Sequence, residues 1–228
     1  MGQAIDLVVA AAEEATVVAR AGRGGLLRAD ADVVVDFSLP EGAQAALAFA
    51  VAHGAAFVSG TTGTDESFTR ELTAAAVTIP VLQASNMSLG VAVTRALTRL
   101  ASAALPAEFQ PEIVELHHRH KVDSPSGTAI ALARDVEGAR TATEVNHGRS
   151  GACGPRTPNE LGVHGVRGGD VVGEHTVYFF GEGERIEITH RATDRAIFAR
   201  GAVTTALWLS GQPPGVYTMD DVLGLTRT

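Results

Sequence analysis

A cluster of titratable and positively charged residues lies directly before a predicted helix. The segment ELHHRHKVDSPSGTA, residues 115–129, has three histidines, an arginine and a lysine at the five positions 117–121. Each histidine can gain or lose a proton near neutral pH, and the lysine adds a mobile charge. A helix that begins after Ser126 adds backbone N–H groups and the positive end of its dipole. The cluster predicts a site that binds a small dianion and handles a proton.

Two other interpretations of this cluster stay open. His117 and His120 could bind zinc, although we identify no cysteine cluster, HExxH motif or acidic third ligand for such a site. The charged residues could also form a solvated rim, with Ser126 as a plain helix N-cap. We favour the anion site, and predict no metal, because so basic a cluster is unusual in a chain of formal net charge −8.

A second group of candidates follows the strands of a predicted parallel sheet. Ligands of open parallel sheets bind at the carboxyl ends of the strands. Glycines let a ligand approach the backbone closely, and hydroxyls suit a ribose, a phosphate or a nicotinamide amide. A plain tight turn is the alternative for residues 60–63, but three polar strand ends in succession favour a ligand. These ends are residues 38–40, Gly60-Thr61-Thr62-Gly63 and Ala84-Ser85-Asn86-Met87.

The usual dinucleotide fingerprint, GxGxxG after a first strand, is absent. The strand predicted at residues 16–20 is followed by no acidic ribose-binding residue and instead ends near Arg20 and Arg23. Arginines at this place favour a 2′-phosphate, hence NADPH over NADH. The alternative is that both are ordinary solvated arginines.

Composition limits the classes of partner. The chain has 228 residues, 45% of them hydrophobic, which is enough for one large domain or two small ones. It has no long basic block, so we expect neither nucleic acid nor a membrane surface as a partner. Cys153 is the single cysteine, which excludes an intrachain disulfide and favours the cytoplasm. No apolar run reaches the roughly 18 residues of a membrane span.

Alternating strands and helices position the two groups of candidates. The first part predicts a parallel, doubly wound sheet, and the second part predicts a mixed, mostly antiparallel sheet in an α+β arrangement. Residues 148–162 predict a long loop. The predicted strands are 16–20, 31–38, 55–60, 79–85, 112–117, 163–166, 175–180 and 185–190, and the predicted helices are 2–12, 41–53, 65–76, 87–104, 126–136 and 194–209.

The segment at 115–129 resembles the signature ExHHxxKxDxPSGTA of the 4-hydroxy-tetrahydrodipicolinate reductase family, also called dihydrodipicolinate reductases. The similarity extends over nearly the whole chain, through VVVDFSLPEG, VSGTTG, ASNMSLGV and ERIEITHRATDR. The resemblance implies a Rossmann-like domain, residues 1–88 and 199–228, and a substrate-binding and oligomerisation domain, residues 89–198. It also implies a homotetramer that uses NADH or NADPH to reduce a small cyclic dicarboxylate in lysine biosynthesis.

The resemblance implies a role for each matching residue. His117 would be the proton donor or acceptor, and Lys121 the second catalytic group. The implied substrate contacts are His118, Gly127 and Thr128, and the implied cofactor contacts are Gly60, Thr61, Thr62, Ala84, Ser85, Asn86 and Met87.

One departure concerns the start of the chain. The family begins with a strand and a glycine-rich loop, and Met1-Gly2-Gln3 matches only the tail of that loop. We therefore expect a Rossmann domain that is truncated at its N-terminus, with Met1 internal to a longer protein. The alternative is a non-reducing relative that binds a dicarboxylate or serves as an assembly subunit.

Overall fold

The computed structural model describes residues 1–22, 30–140 and 144–225. Its helices are α1 (Gly2–Ala10), α2 (Pro40–His53), α3 (Glu66–Ala75), α4 (Leu89–Ala104), α5 (Gly127–Glu137), α6 (Ala196–Leu209) and α7 (Met219–Val222). Its strands are β1 (Val33–Asp36), β2 (Ala56–Ser59), β3 (Pro80–Gln83), β4 (Gln110–His117), β5 (Glu144–Asn146), β6 (Glu160–Arg167), β7 (Gly173–Phe180), β8 (Arg185–Ala192) and β9 (Gly215–Tyr217).

The chain divides into two compact units, each with its own sheet. The terminal unit comprises Met1–Leu89 and Ala196–Thr228, and the central unit comprises Gly90–Arg195. Among the helices of the described residues, none combines the length and the apolar character needed to cross a lipid bilayer.

The terminal unit contains a four-stranded parallel sheet in the order β1-β2-β3-β9. Helix α2 begins at Pro40, where a proline costs no helical hydrogen bond, and ends at Gly54, whose φ of +66° suits glycine. The Asp65 side chain caps α3 by accepting from the Phe68 N–H at 3.0 Å. These helix boundaries leave the carboxyl ends of β1, β2 and β3 at one edge of the sheet.

Both faces of this parallel sheet are covered. Phe57 and Val81 face α2 and α3 in one apolar cluster. Val58 and Leu82, which point to the opposite face, are also fully buried, and α6 contacts strands β1 to β3. The strands therefore consist of nearly continuous apolar runs, as is typical of buried parallel strands.

The central unit contains a mixed five-stranded sheet in the order β5-β6-β4-β7-β8. Strand β6 runs parallel to β4 and β5, whereas β7 runs antiparallel to β4 and β8. Helix α5 packs on this sheet. The apolar cluster that joins them consists of Ile113, Ala129, Leu132, Ala133, Val136, Leu161, Val163, Val177 and Phe179.

The predicted fold class, a Rossmann-like parallel sheet with an α+β unit, is confirmed. The strand predicted at residues 16–20 is wrong, because these residues have no strand partner and Val18 is 58% exposed. A β-branched run becomes a strand only where a neighbouring strand satisfies its backbone groups. The short strands β5 and β9 were not predicted, and β6 begins at Glu160, inside the predicted loop.

Candidate active site

His117 lies at the end of β4, and strand register fixes its neighbours. It is paired with Arg167 of β6, and continuing the antiparallel register brings it beside Gly173 of β7. Two residues earlier on the same face, Glu115 is paired with His175 of β7. Residues of paired strands at the same register project from the same face. The sheet therefore brings together side chains that are far apart in sequence.

Glu115 is the centre of a buried hydrogen-bond network, called here the Glu115 network. Its carboxylate is fully buried and accepts from Arg167 Nη2 at 2.7 Å and from Arg167 Nη1 at 2.9 Å. It also accepts from the Ser126 backbone N–H at 3.2 Å and from His117 Nδ1. Burial raises the pKa of Glu115, but the bonds from Arg167 and His117 outweigh burial and hold this pKa below its ordinary value. Glu115 is therefore ionised at neutral pH.

His117 is buried and neutral at neutral pH. Burial lowers its pKa, and the neighbouring Glu115 carboxylate opposes this effect only in part. A carboxylate can only accept, so the proton of the neutral ring lies on Nδ1. The other ring nitrogen, Nε2, faces Gly173, where a Cβ atom would lie 3.0 Å from it. The missing side chain at Gly173 leaves space beside the atom that would exchange a proton.

His175 links this network to the start of α5. Its ring meets the His117 ring edge to face, with centroids 5.1 Å apart. Burial, and secondarily repulsion from the protonated form of His117, lowers the pKa of His175 to about 4, so its ring is neutral at neutral pH. His175 Nε2 lies 3.0 Å from Ser126 Oγ, which accepts from the Ala129 N–H at 3.2 Å and caps α5. The network thus fixes the helix start that carries Gly127 and Thr128.

Lys121 lies in the loop between β4 and α5 and is the only lysine in the sequence. Its Nζ donates to both carboxylate oxygens of Asp123, at 2.7 and 2.9 Å. This pairing lowers the pKa of Asp123. Because Asp123 is exposed and an exposed ion pair is weak, a ligand carboxylate can replace it at little cost.

An open cavity of about 420 Å³ adjoins the loop after β4. Among the described residues, two arginines, Arg119 and Arg195, and two histidines, His118 and His120, line it beside a single carboxylate, Asp170, so its wall is basic on balance. Arg195 Nη2 lies 3.4 Å from His118 Nε2. The predicted substrate residue His118 therefore lies in a cavity suited to an anion.

The proposed zinc pair of His117 and His120 has no structural support among the described residues. The residues with mutually close ligand atoms are Glu115, His117 and His175, within 4.8 Å of one another, and His120 is exposed. This donor set also fits a cation poorly, because both oxygens of Glu115 already accept from the Arg167 guanidinium. A metal ion would place a second positive charge against the same oxygens.

In the terminal unit, Asp36 organises the carboxyl ends of β1 and β2. Its buried carboxylate accepts from the hydroxyls of Ser59 at 2.8 Å, Thr61 at 2.7 Å and Ser38 at 2.5 Å. The Ser38 N–H donates to the same carboxylate at 3.0 Å. The Thr61 hydroxyl, predicted to contact a cofactor, therefore stabilises the strand end.

The other predicted cofactor residues line the same edge of the parallel sheet. Gly60 has no room for a side chain, because a Cβ atom there would overlap the Phe37 ring. Thr62 and Ser85 are exposed at the ends of β2 and β3, and Ala84 is half-buried. The exposed hydroxyls and the glycine backbone fit a dinucleotide.

The segment that follows β3 is built into the fold. Asn86 Oδ1 accepts from the Ser88 N–H at 2.9 Å and so shapes the turn before α4. The Met87 side chain is 1% exposed, and its backbone packs against Gly201 of α6. The groups of these two residues that suit a ligand contact are the backbone of both and the side-chain amide of Asn86.

The arginines expected to select a 2′-phosphate do not indicate a preference for NADPH over NADH. Arg20 Nε donates to both oxygens of Asp6, at 2.9 and 3.0 Å, so this side chain is already paired. Arg23 lies outside the described residues.

Sequence reasoning missed most of the residues around His117. Arg167 lies 52 residues after Glu115, and neither Gly173, His175 nor Arg195 belongs to the motif at 115–129. The usable signal was the spacing of Glu115 and His117, which places both side chains on one face of a strand.

Comparison with known proteins covers both units. Residues 1–87 match the family model described as dihydrodipicolinate reductase, N-terminus, and residues 90–223 match the corresponding C-terminus model. A 4-hydroxy-tetrahydrodipicolinate reductase of Akkermansia muciniphila is 46% identical over 233 residues, which span 100% of this chain and 95% of the relative. The enzyme of the same name from Campylobacter curvus is 50% identical over 87% of this chain and 79% of its own length.

Solved structures agree in fold. A dipicolinate-bound dihydrodipicolinate reductase from Paenisporosarcina sp. TG-14 superposes with a TM-score of 0.67 and 27% identity, over 82% of this chain and 71% of that chain. An amine dehydrogenase from Mycobacterium smegmatis, 11% identical with a TM-score of 0.52 over 83% of this chain and 75% of its own, shares the fold alone.

Proposed function

The chain belongs to the dihydrodipicolinate reductase family, and from this premise we propose that it reduces 4-hydroxy-tetrahydrodipicolinate to tetrahydrodipicolinate with a nicotinamide dinucleotide. The reaction adds a hydride and a proton, releases the 4-hydroxyl group as water, and belongs to diaminopimelate and lysine biosynthesis. The observation that carries the proposal is the buried Glu115–His117 pair, which lies in the same unit as a basic cavity and a capped helix start.

The substrate is a small cyclic dicarboxylate, and the central unit has two groups of residues suited to its carboxylates. One is the basic cavity wall with His118 and Arg195. The other is the first turn of α5, where Gly127 and Thr128 present backbone N–H groups at the positive end of the helix. Arg195 extends the site beyond the residues that the sequence motif implies.

His117 handles the proton, and Lys121 supplies the positive charge. Nε2 of His117, beside Gly173, is the atom placed to exchange a proton, since Nδ1 is bound to Glu115. Lys121 exchanges its exposed partner Asp123 for a substrate carboxylate and offsets the charge of the dianion.

The dinucleotide binds to the terminal unit and, when bound, supplies the hydride. The backbone of Gly60 and Thr61 and the exposed hydroxyls of Thr62 and Ser85 would hold it, with Ala84, Asn86 and Met87 forming the adjoining turn. Because Arg20 is paired with Asp6, we propose that the protein accepts either NADH or NADPH.

We also propose a homotetramer in the cytoplasm. The single cysteine, Cys153, is free, which suits a reducing compartment. The apolar side chain of Phe180, 37% exposed, projects from the face of the central sheet opposite to Phe179 and α5, and it supports an assembly surface on that face. Light scattering coupled to size-exclusion chromatography tests the tetramer.

The deciding experiment measures NADH and NADPH oxidation with enzymatically generated substrate, for the wild type and for Lys121→Met. We expect turnover with the wild type and a loss of about 100-fold or more in kcat for the variant. Cofactor binding, measured by fluorescence titration, should stay unchanged. Arg70→Met, which removes one exposed positive charge from the middle of α3, is the matched control.

Two outcomes contradict the proposal. A folded wild type that binds dipicolinate but oxidises neither nucleotide would be a non-reducing, dicarboxylate-binding relative. Equal activity of Lys121→Met and Arg70→Met would remove Lys121 from the reaction.

A further inference from the structure

The Glu115 network distributes four donors over two oxygens in a fixed pattern. Oε1 accepts from Arg167 Nη2 at 2.7 Å and from the Ser126 N–H at 3.2 Å. Oε2 accepts from Arg167 Nη1 at 2.9 Å and from His117 Nδ1. Arg167 Nη2 also donates to the Asp123 carbonyl at 2.7 Å, which ties the guanidinium to the loop that carries Lys121. The carboxylate is thus held from three elements of the central unit.

We propose that Glu115, clamped by Arg167, is a positioning residue that fixes the proton of His117 on Nδ1 and so reserves Nε2 for proton exchange with the substrate. This inference rests on the proposed function and deepens it. A carboxylate has no proton to donate at neutral pH, so the tautomer of His117 follows from the identity of residue 115.

The charged and titratable groups around His117 come from four places. Glu115 lies on the same strand, Arg167 on β6, His175 on β7 and Lys121 in the following loop. The charges of Glu115 and Arg167 offset each other, and His175 is neutral. Glu115 therefore orients the ring while leaving it neutral. Without the carboxylate, His117 should take up a proton only at a lower pH.

The variant Glu115→Gln keeps the shape of the side chain at position 115 but replaces one of its acceptor oxygens by a donor. An amide has a single acceptor oxygen. The Oε1 position faces two donors that cannot become acceptors, Arg167 Nη2 and the Ser126 N–H, whereas the Oε2 position faces only one such donor, Arg167 Nη1, besides His117. The amide oxygen therefore takes the Oε1 position. The NH₂ group would then face His117 Nδ1 and force this nitrogen to accept. The ring proton would move to Nε2, where proton exchange with the substrate is blocked.

The chain offers a matched control at Glu112, on the opposite face of β4. Glu112 also binds one arginine and one histidine, with Arg156 Nε at 2.9 Å from Oε1 and His164 Nε2 at 2.9 Å from Oε2. Glu112→Gln therefore makes the same chemical change in a similar pair that the proposed reaction does not use.

The experiment records ¹⁵N spectra of histidine-labelled protein, with His117 assigned through His117→Gln, beside steady-state kinetics over pH. We expect a neutral His117 with its proton on Nδ1 in the wild type and in Glu112→Gln, and on Nε2 in Glu115→Gln. The kcat of Glu115→Gln should fall at least about 10-fold with little change in KM, and at most by the roughly 10²- to 10⁴-fold that acid–base catalysis contributes. The acidic limb of its pH profile should move to lower pH.

Two results would overturn the proposal. One is a wild-type His117 whose neutral form carries its proton on Nε2, a measurement that stands even if Glu115→Gln does not fold. The other is Glu115→Gln with a wild-type tautomer or wild-type kcat. Failure of the proposed function would show separately, as absence of turnover in the wild type, because the tautomer is measured without substrate.

Discussion

Gly173→Ala tests whether the space beside His117 Nε2 is needed for activity. The added Cβ would lie 3.0 Å from Nε2 and 3.3 Å from Cδ2, whereas comfortable contacts begin near about 3.5 Å. The ring must therefore retreat by about half an ångström. It is held on one side by Glu115, and His175 packs against it with ring centroids 5.1 Å apart.

The size of the effect follows from this displacement. A misplacement of 1 Å costs about 100-fold in rate, so about half of that distance should lower kcat about 10-fold. Overpacking should also lower the free energy of unfolding by about 1–3 kcal/mol. For a chain of this length, each kcal/mol corresponds to a Tm change of roughly 2–4 °C.

The assay compares kcat and Tm of Gly173→Ala with those of Gly168→Ala. An added Cβ at Gly168 meets no atom within 4 Å, so this control should stay within about twofold of the wild type. A Gly173→Ala protein that melts earlier but keeps the wild-type kcat would refute the reasoning, because His117 Nε2 would then not need the space.

Two further predictions concern Asp36 and His175. In Asp36→Asn the amide has one acceptor oxygen, so the side chain loses either the bonds from Ser38 at Oδ1 or those from the Ser59 and Thr61 hydroxyls at Oδ2. The free energy of unfolding should drop by about 1–3 kcal/mol and NADH binding should weaken. Unchanged urea unfolding together with an unchanged Kd would contradict this role. Because the pKa of folded His175 is lowered from 6.5 to about 4, the unfolded chain binds its proton first, and the free energy of unfolding should fall by up to about 3 kcal/mol as pH drops from about 6.5 to 4. Urea unfolding over this pH range should show that the free energy of unfolding depends less steeply on pH in His175→Gln than in the wild type. An equal dependence would contradict the lowered pKa of His175.

Much of the fold was predictable because it depends on local pattern. Apolar runs and helix boundaries at Pro40, Asp65 and Ser126 predicted the alternating elements of the parallel sheet and the start of α5, and the structure confirms them. The prediction of a strand at residues 16–20 was wrong and β9 was not predicted, and both errors have the same cause. A short segment becomes a strand through its partner, and the partner of β9 is β3, far away in sequence.

The sequence by itself determined the chemistry available at residues 115–129 and the family to which the chain belongs, because both depend on residue type and close spacing. Only the tertiary structure decided how that chemistry is arranged. Strand register places Arg167, Gly173 and His175 around the Glu115–His117 pair, and their separation in sequence carries no signal of this contact. The tautomer of His117, the space at its Nε2 and its depressed pKa all arise from burial and from these distant partners.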